Sequence, residues 1–118
     1  MLIVSAATVP VFPEPAAAAE PVTAAYTPVG PLRLADTRNA VCGCSRVDVS
    51  TLRVDIVGRD DIPPDVSAVA VTVTALPTAT PAFVTVYPSG VERPLASTLN
   101  TRVDRVTSNS TIVPVGED

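Results

Sequence analysis

Cys42-Gly43-Cys44 is the sharpest local feature of this 118-residue chain, because two cysteines one residue apart admit few kinds of chemistry. In a regular strand, positions i and i+2 lie too far apart for a disulfide, but Gly43 allows a tight turn that closes a small ring. Bridges to another chain, free thiols and a thiolate pair holding a soft metal are the alternatives. Redox cycling of Cys42 and Cys44 is a further reading, with neither a base nor a helix N-terminus in sight to activate a thiolate. Arg33, Asp36 and Arg38 form a second group. In an extended stretch Asp36 and Arg38 share a face, which suits a bidentate carboxylate–guanidinium pair. The group reads either as a sugar or anion clamp or as a turn fixed by Asp36 and Thr37, with Arg38 paired to a carboxylate. Tyr87, Arg93 and Asn100 are candidates for a carbohydrate-binding surface. The aromatic supply is thin, however: two tyrosines, two phenylalanines and no tryptophan, and Phe83 is expected in the core. Asp60, Asp61 and Asp65 crowd one loop, but they lack the alternating spacing of a calcium loop and Pro63-Pro64 stiffens them, so a solvated loop is expected.

Composition excludes much of the remaining chemistry. The chain has no histidine, which removes Ser-His-Asp and Cys-His nucleophile arrangements and imidazole-ligated zinc. All eight basic residues are arginines, against twelve acids, for a net charge of −4. Nucleic acid and anionic membrane surfaces are therefore not expected partners. No carboxylate pair stands out for glycoside cleavage. No cofactor and no metal are expected, and the chain reads as non-catalytic.

These residues must be held by strands. Val69-Ala70-Val71-Thr72-Val73-Thr74-Ala75 puts valines on one face and small or hydroxylated residues on the other. Its β-branched side chains favour the pleated backbone over a helix. Phe83–Tyr87 reads as a second strand, closed by Pro88-Ser89-Gly90, and the two together read as a hairpin. Val47–Val49 and Leu52–Ile56 alternate on opposite parities, so a bulge or tight turn is expected at Ser50-Thr51. Leu95–Thr101 and Val106–Val115 are weaker strands. Ser108, Asn109 and Ser110 suggest partial or edge pairing, and Pro94 and Pro114 also suggest edges. Turn signals at roughly 8–12-residue spacing point to an all-β fold, an antiparallel β-sandwich or small barrel.

The domain reading is a single β domain over residues 26–118, preceded by an arm over residues 1–25. Leu2–Phe12 is an apolar run of eleven residues, short of the ~20 needed to span a bilayer as a helix. It leads into Ala16–Ala19. This pattern suggests the remnant of a secretory signal peptide, with cleavage after Ala19 or Ala25, although the first basic residue is Arg33. The alternative is an Ala/Pro-rich disordered arm. Localisation is therefore expected to be secreted or cell-envelope, where a cysteine pair is oxidised.

Five sequence blocks resemble a module of secreted actinobacterial proteins, found in tandem or attached to wall hydrolases. Pro31–Arg38 resembles its P-x-R-[LV]-x-D-T-R opening, and Ile62–Thr74 its VP-x-x-A-x-A-V-x-x-N-V-T strand, with Thr72 in place of the asparagine. Phe83–Gly90 resembles G-F-[LV]-T-V-[YW]-P-x-G, Pro94–Asn100 resembles P-x-A-S-x-L-N, and Val113–Gly116 resembles V-P-[VL]-G. The likeness covers residues 27–116. It implies a binding, spacing or assembly unit, or an accessory domain that holds cell-wall polysaccharide or peptidoglycan. The family pattern continues with a hairpin ending in V-D-V-x-G-[YW]. The resemblance therefore implies a sandwich lacking its C-terminal strands, with unpaired strand edges open to self-association or to a partner chain.

Overall fold

The alternation of valine with alanine and threonine becomes β3 (Ala68–Ala75), which runs antiparallel to β6 (Thr107–Pro114). The computed structural model describes residues 23–39, 42–59 and 61–117. Pairing of β3 with β6 is continuous, from Ala68 opposite Pro114 to Ala75 opposite Thr107. One face carries Val69, Val71, Val73 and Ala75 with Val113, Thr111 and Thr107, all half-buried. The other carries Ala70, Thr72 and Thr74 opposite Ile112, Ser110 and Ser108, all exposed. A period of two on a half-covered ribbon requires this division. Ser108–Ser110 are fully paired on a strand that is an edge of its two-stranded sheet, so of the expected partial or edge pairing the edge is what forms and the partial pairing is corrected. Their hydroxyls explain why: Ser110 and Ser108 bond across the strands to the Thr72 and Thr74 hydroxyls at 2.9 and 2.7 Å.

The hairpin expected between residues 69–75 and 83–87 does not form. β4 (Phe83–Val84) pairs instead with β5 (Leu99–Asn100). The connection from β3 is drawn away by its own hydrogen bonds. Thr78 N–H donates to the Arg102 carbonyl at 3.0 Å, and the Thr78 hydroxyl lies 2.9 Å from that of Thr101. Beyond Val84, side chains replace part of the ladder. Val86 N–H donates to Thr98 Oγ1 at 3.0 Å and Thr85 Oγ1 to the Ala96 carbonyl at 2.8 Å. This is why the expected strands over 83–87 and 95–101 shorten to two residues each.

β1 (Cys44–Arg46) and β2 (Leu52–Val54) form a third ribbon. The tight turn expected at Ser50-Thr51 is present. Val47 N–H donates to the Thr51 carbonyl at 2.9 Å, and Asp48 Oδ1 accepts from Ser50 N–H at 2.7 Å. Val47–Val49 belongs to this turn rather than to a strand, which leaves Val49 95 % exposed.

The described residues are all-β: they contain no helix, only antiparallel strands in three two-stranded sheets. The strand order closes neither a sandwich nor a barrel. β5 lies beside β6, and Asn109 Nδ2 donates to the Thr98 carbonyl at 2.7 Å to join the two ribbons. Among the described residues Leu99 and Thr101, on and just after β5, are the buried ones, and Phe83, expected in the core, is 59 % exposed. Gly116 sits against the main chain of Ser89 with no room for a side chain, so the chain's last described residues rest on the turn that follows β4.

Candidate functional site

Asp36 stands at the end of an extended stretch and opens a turn. Asn39 N–H donates to its carbonyl at 3.1 Å, and its own N–H donates to the Cys42 carbonyl at 3.2 Å. The turn folds the next two positions back over the carboxylate. Oδ1 accepts from Arg38 N–H at 3.1 Å and Arg38 Nε at 2.9 Å, while Oδ2 accepts from Arg38 Nη2 at 2.7 Å and Arg33 Nη1 at 2.6 Å. The bidentate pair read from the sequence is therefore present, made by a turn instead of an extended strand. The Asp36 side chain retains 9 % exposure, while the two arginine side chains are largely exposed. The Arg38 side chain, then the Arg38 main-chain N–H, hold the Asp36 carboxyl well below the usual carboxylate range, with Arg33 adding to them and desolvation opposing. The same contact with Asp36 raises the Arg38 guanidinium above its ordinary value.

Next to the clasp, the Cys42 and Cys44 sulfurs meet across Gly43 as a disulfide pair, with Cα atoms 5.1 Å apart. Gly43 has φ 68°, the left-handed region that glycine reaches without steric cost. Of the alternatives for these cysteines, the geometry matches the local ring. A Cβ on Gly43 would strike the Leu34 carbonyl and the Arg59 guanidinium.

Arg59 is the residue that sequence reasoning missed. Its Nη1 donates to the Leu34 carbonyl at 2.5 Å and, at 3.4 Å each, to the carbonyls of Gly43 and Asp55. It thereby ties the Asp36 turn, the cysteine ring and the chain after β2 together. A cavity of about 170 Å³ lies among them, lined by Arg33, Asp36, Asn39, Cys42, Gly43 and Arg59 among others. The nearest signal in the sequence is Gly58, whose φ of 77° turns the chain just before Arg59.

The remaining candidates do not converge. Tyr87 is half-buried after β4, whereas Arg93 is exposed in the loop before Pro94 and Asn100 is exposed on β5. Among the described residues no side-chain hydrogen bond or ion pair joins any two of them. Asn100 is paired instead with Phe83, whose exposed ring shares its register position. Asp61 and Asp65 are exposed, Asp60 lies outside the described residues, and no group of three or more metal-ligating side chains occurs among those described. A second clasp was not anticipated: Asp104 accepts from Arg102 Nε at 3.1 Å and from Arg105 Nη2 at 3.0 Å, first Arg105 and then Arg102 lowering its carboxyl pKa.

The signal-remnant reading of residues 1–25 falls almost wholly outside the described residues, and Thr23–Ala25 are exposed without regular structure. No described helix is long and apolar enough to cross a membrane. Comparison with protein families, curated proteins and solved structures finds no match to this chain.

Proposed function

We propose that this chain is a non-catalytic module of the cell envelope or extracellular space that works by assembly with another polypeptide surface. The observation that carries this reading is the distribution of apolar side chains. Fourteen large hydrophobic residues of the described part are exposed, among them Leu95, Val49 and Ile112, against a buried core of Leu99. Apolar surface left in water is a standing drive for association. Both ribbon edges of the β3–β6 pair offer main-chain groups to a further strand. The cysteine pair and the apolar-then-small N-terminal segment support an oxidising, exported setting. The resemblance to the secreted actinobacterial module supports the same setting and a wall-associated role. Sedimentation velocity over a hundredfold concentration range tests the reading. Reversible growth in mass is expected, and a strict monomer throughout would overturn self-assembly.

A second reading, a carbohydrate- or peptidoglycan-binding accessory role, is favoured by one observation. Phe83 offers an exposed ring at the register position opposite the exposed amide of Asn100. An aromatic face beside an amide suits a pyranose ring. Retention on purified cell wall, lost in Phe83→Ala and kept in Arg93→Ala, supports that role. Equal retention of both variants removes it.

A further inference from the structure

We infer that the cavity beside the cysteine ring is a binding site for a small oxyanion, a carboxylate or a phosphate group, with Arg59 as its principal contact. A guanidinium carries five N–H donors in a fixed fork. The Arg59 hydrogen bonds all leave from Nη1 and end on main-chain carbonyls. The three donors on Nε and Nη2 take no partner among the described residues, and no described carboxylate pairs with this arginine. Arg59 is also half-buried in the cavity wall. A charge withdrawn from water without a counter-ion is costly, and an anion is the partner that relieves it.

The surroundings select the sign and size of the ligand. The cavity is lined by the guanidiniums of Arg33 and Arg59 and by one carboxylate, Asp36, which is already satisfied by Arg33 and Arg38. Of the charged side chains that line the cavity, two are guanidiniums and one is a carboxylate. Nε and Nη2 point the same way from a planar group, the geometry that holds two oxygens of one oxyanion side by side. A cavity of about 170 Å³ has room for one such group together with part of whatever carries it. Gly43, having no Cβ, keeps that wall open. The Arg33–Asp36–Arg38 group, read from the sequence either as a sugar or anion clamp or as a structural turn, is then the frame, and the unspent donors belong to Arg59.

The site does not depend on the assembly surface, so it is tested separately. The ¹⁵N-labelled full chain, at fixed ionic strength, is titrated with sodium acetate and with sodium phosphate. Saturable shifts confined to the amides of Asn39, Gly43 and Arg59 are expected. Saturation by acetate alone assigns a planar carboxylate, and saturation by phosphate alone or by both assigns a site that accepts the tetrahedral group. Arg59→Gln is expected to weaken binding at least tenfold. Because Arg59 also ties the loops, Arg33→Gln, which leaves that tie intact, is measured beside it and is expected to weaken binding several-fold. Linear, unsaturable shifts with both salts overturn the site, as does unchanged affinity in both variants.

Discussion

Arg59 Nη1 donates to the carbonyl oxygen of Leu34 across 25 positions of chain. This bond fastens the stretch that carries the Asp36 clasp onto the β1–β2 region. The clasp itself is local, with its partners at separations of two and three. Placement of the Asp36 turn relative to the cysteine ring therefore depends on one arginine and the main-chain carbonyls it reaches.

Stability is expected to fall with acid in a way that Asp36 sets. Its folded pKa is depressed, so its contribution is fully present above the unfolded value near pH 4 and is lost as pH falls below that. Asp48 and Asp104 are shifted in the same direction and add to the slope. Urea midpoints compared at pH 5 and pH 2.5 should show a drop in the native chain and a smaller one in Asp36→Asn. An identical drop in both would remove Asp36 from the account.

Gly43→Ala should destabilise the ring region by about 1–2 kcal/mol from backbone conformation alone, with a further cost from displacing the Arg59 guanidinium. Thermal melting, with thiol titration to follow Cys42 and Cys44, gives the result. A melting point equal to that of the parent would mean that the left-handed turn is not maintained in solution.

The two faces of β3 should respond unequally when valine and threonine are exchanged for one another. Val71→Thr places a hydroxyl on the half-buried face and is expected to cost about 1 kcal/mol. Thr72→Val loses the bond to Ser110 on the exposed face, but gains strand propensity and stays within about 0.5 kcal/mol. Amide exchange in β6 reports both, and a reversal of the order would mean that the faces are misassigned.

Thr101→Val should cost about 1 kcal/mol, the net worth of the hydrogen bonds that its hydroxyl makes. Thr101 Oγ1 accepts from Ala82 N–H at 2.9 Å, lies 2.9 Å from the Thr78 hydroxyl and is part of a residue only 6 % exposed. Chemical denaturation measures the loss. Faster exchange of the Ala82 amide should accompany it, and an unchanged rate would show that another acceptor takes over.

The strand at Ala68–Ala75 was legible because seven consecutive residues alternate without interruption. Its partner was not. Residues 83–87 are the more apolar and the nearer in sequence, whereas the true partner has a serine-rich middle. What decides between them is the match of hydroxyls across the ladder, Thr72 with Ser110 and Thr74 with Ser108, a pairwise property that no single segment displays. The Asp36–Arg38 pair was legible from spacing alone, because its geometry is local. Arg59 was not, since its role is set by carbonyls at Leu34 and Gly43 that carry no mark in the sequence. Phe83 was misread as core because apolarity predicts burial only where there is enough fold to cover it.

The register of the long ribbon has a bearing on which changes in chain length it can absorb. Every position from Ala68 to Ala75 has one opposite number, without a bulge. Adding or deleting a dipeptide from both strands would shorten or extend the ribbon and keep each valine on its own side. One extra residue between Val71 and Thr72 would turn everything beyond it inside out, sending Val73 to water and Thr74 inward. Lineages of this chain should therefore vary the ribbon in even steps, and an odd step should come with a compensating kink.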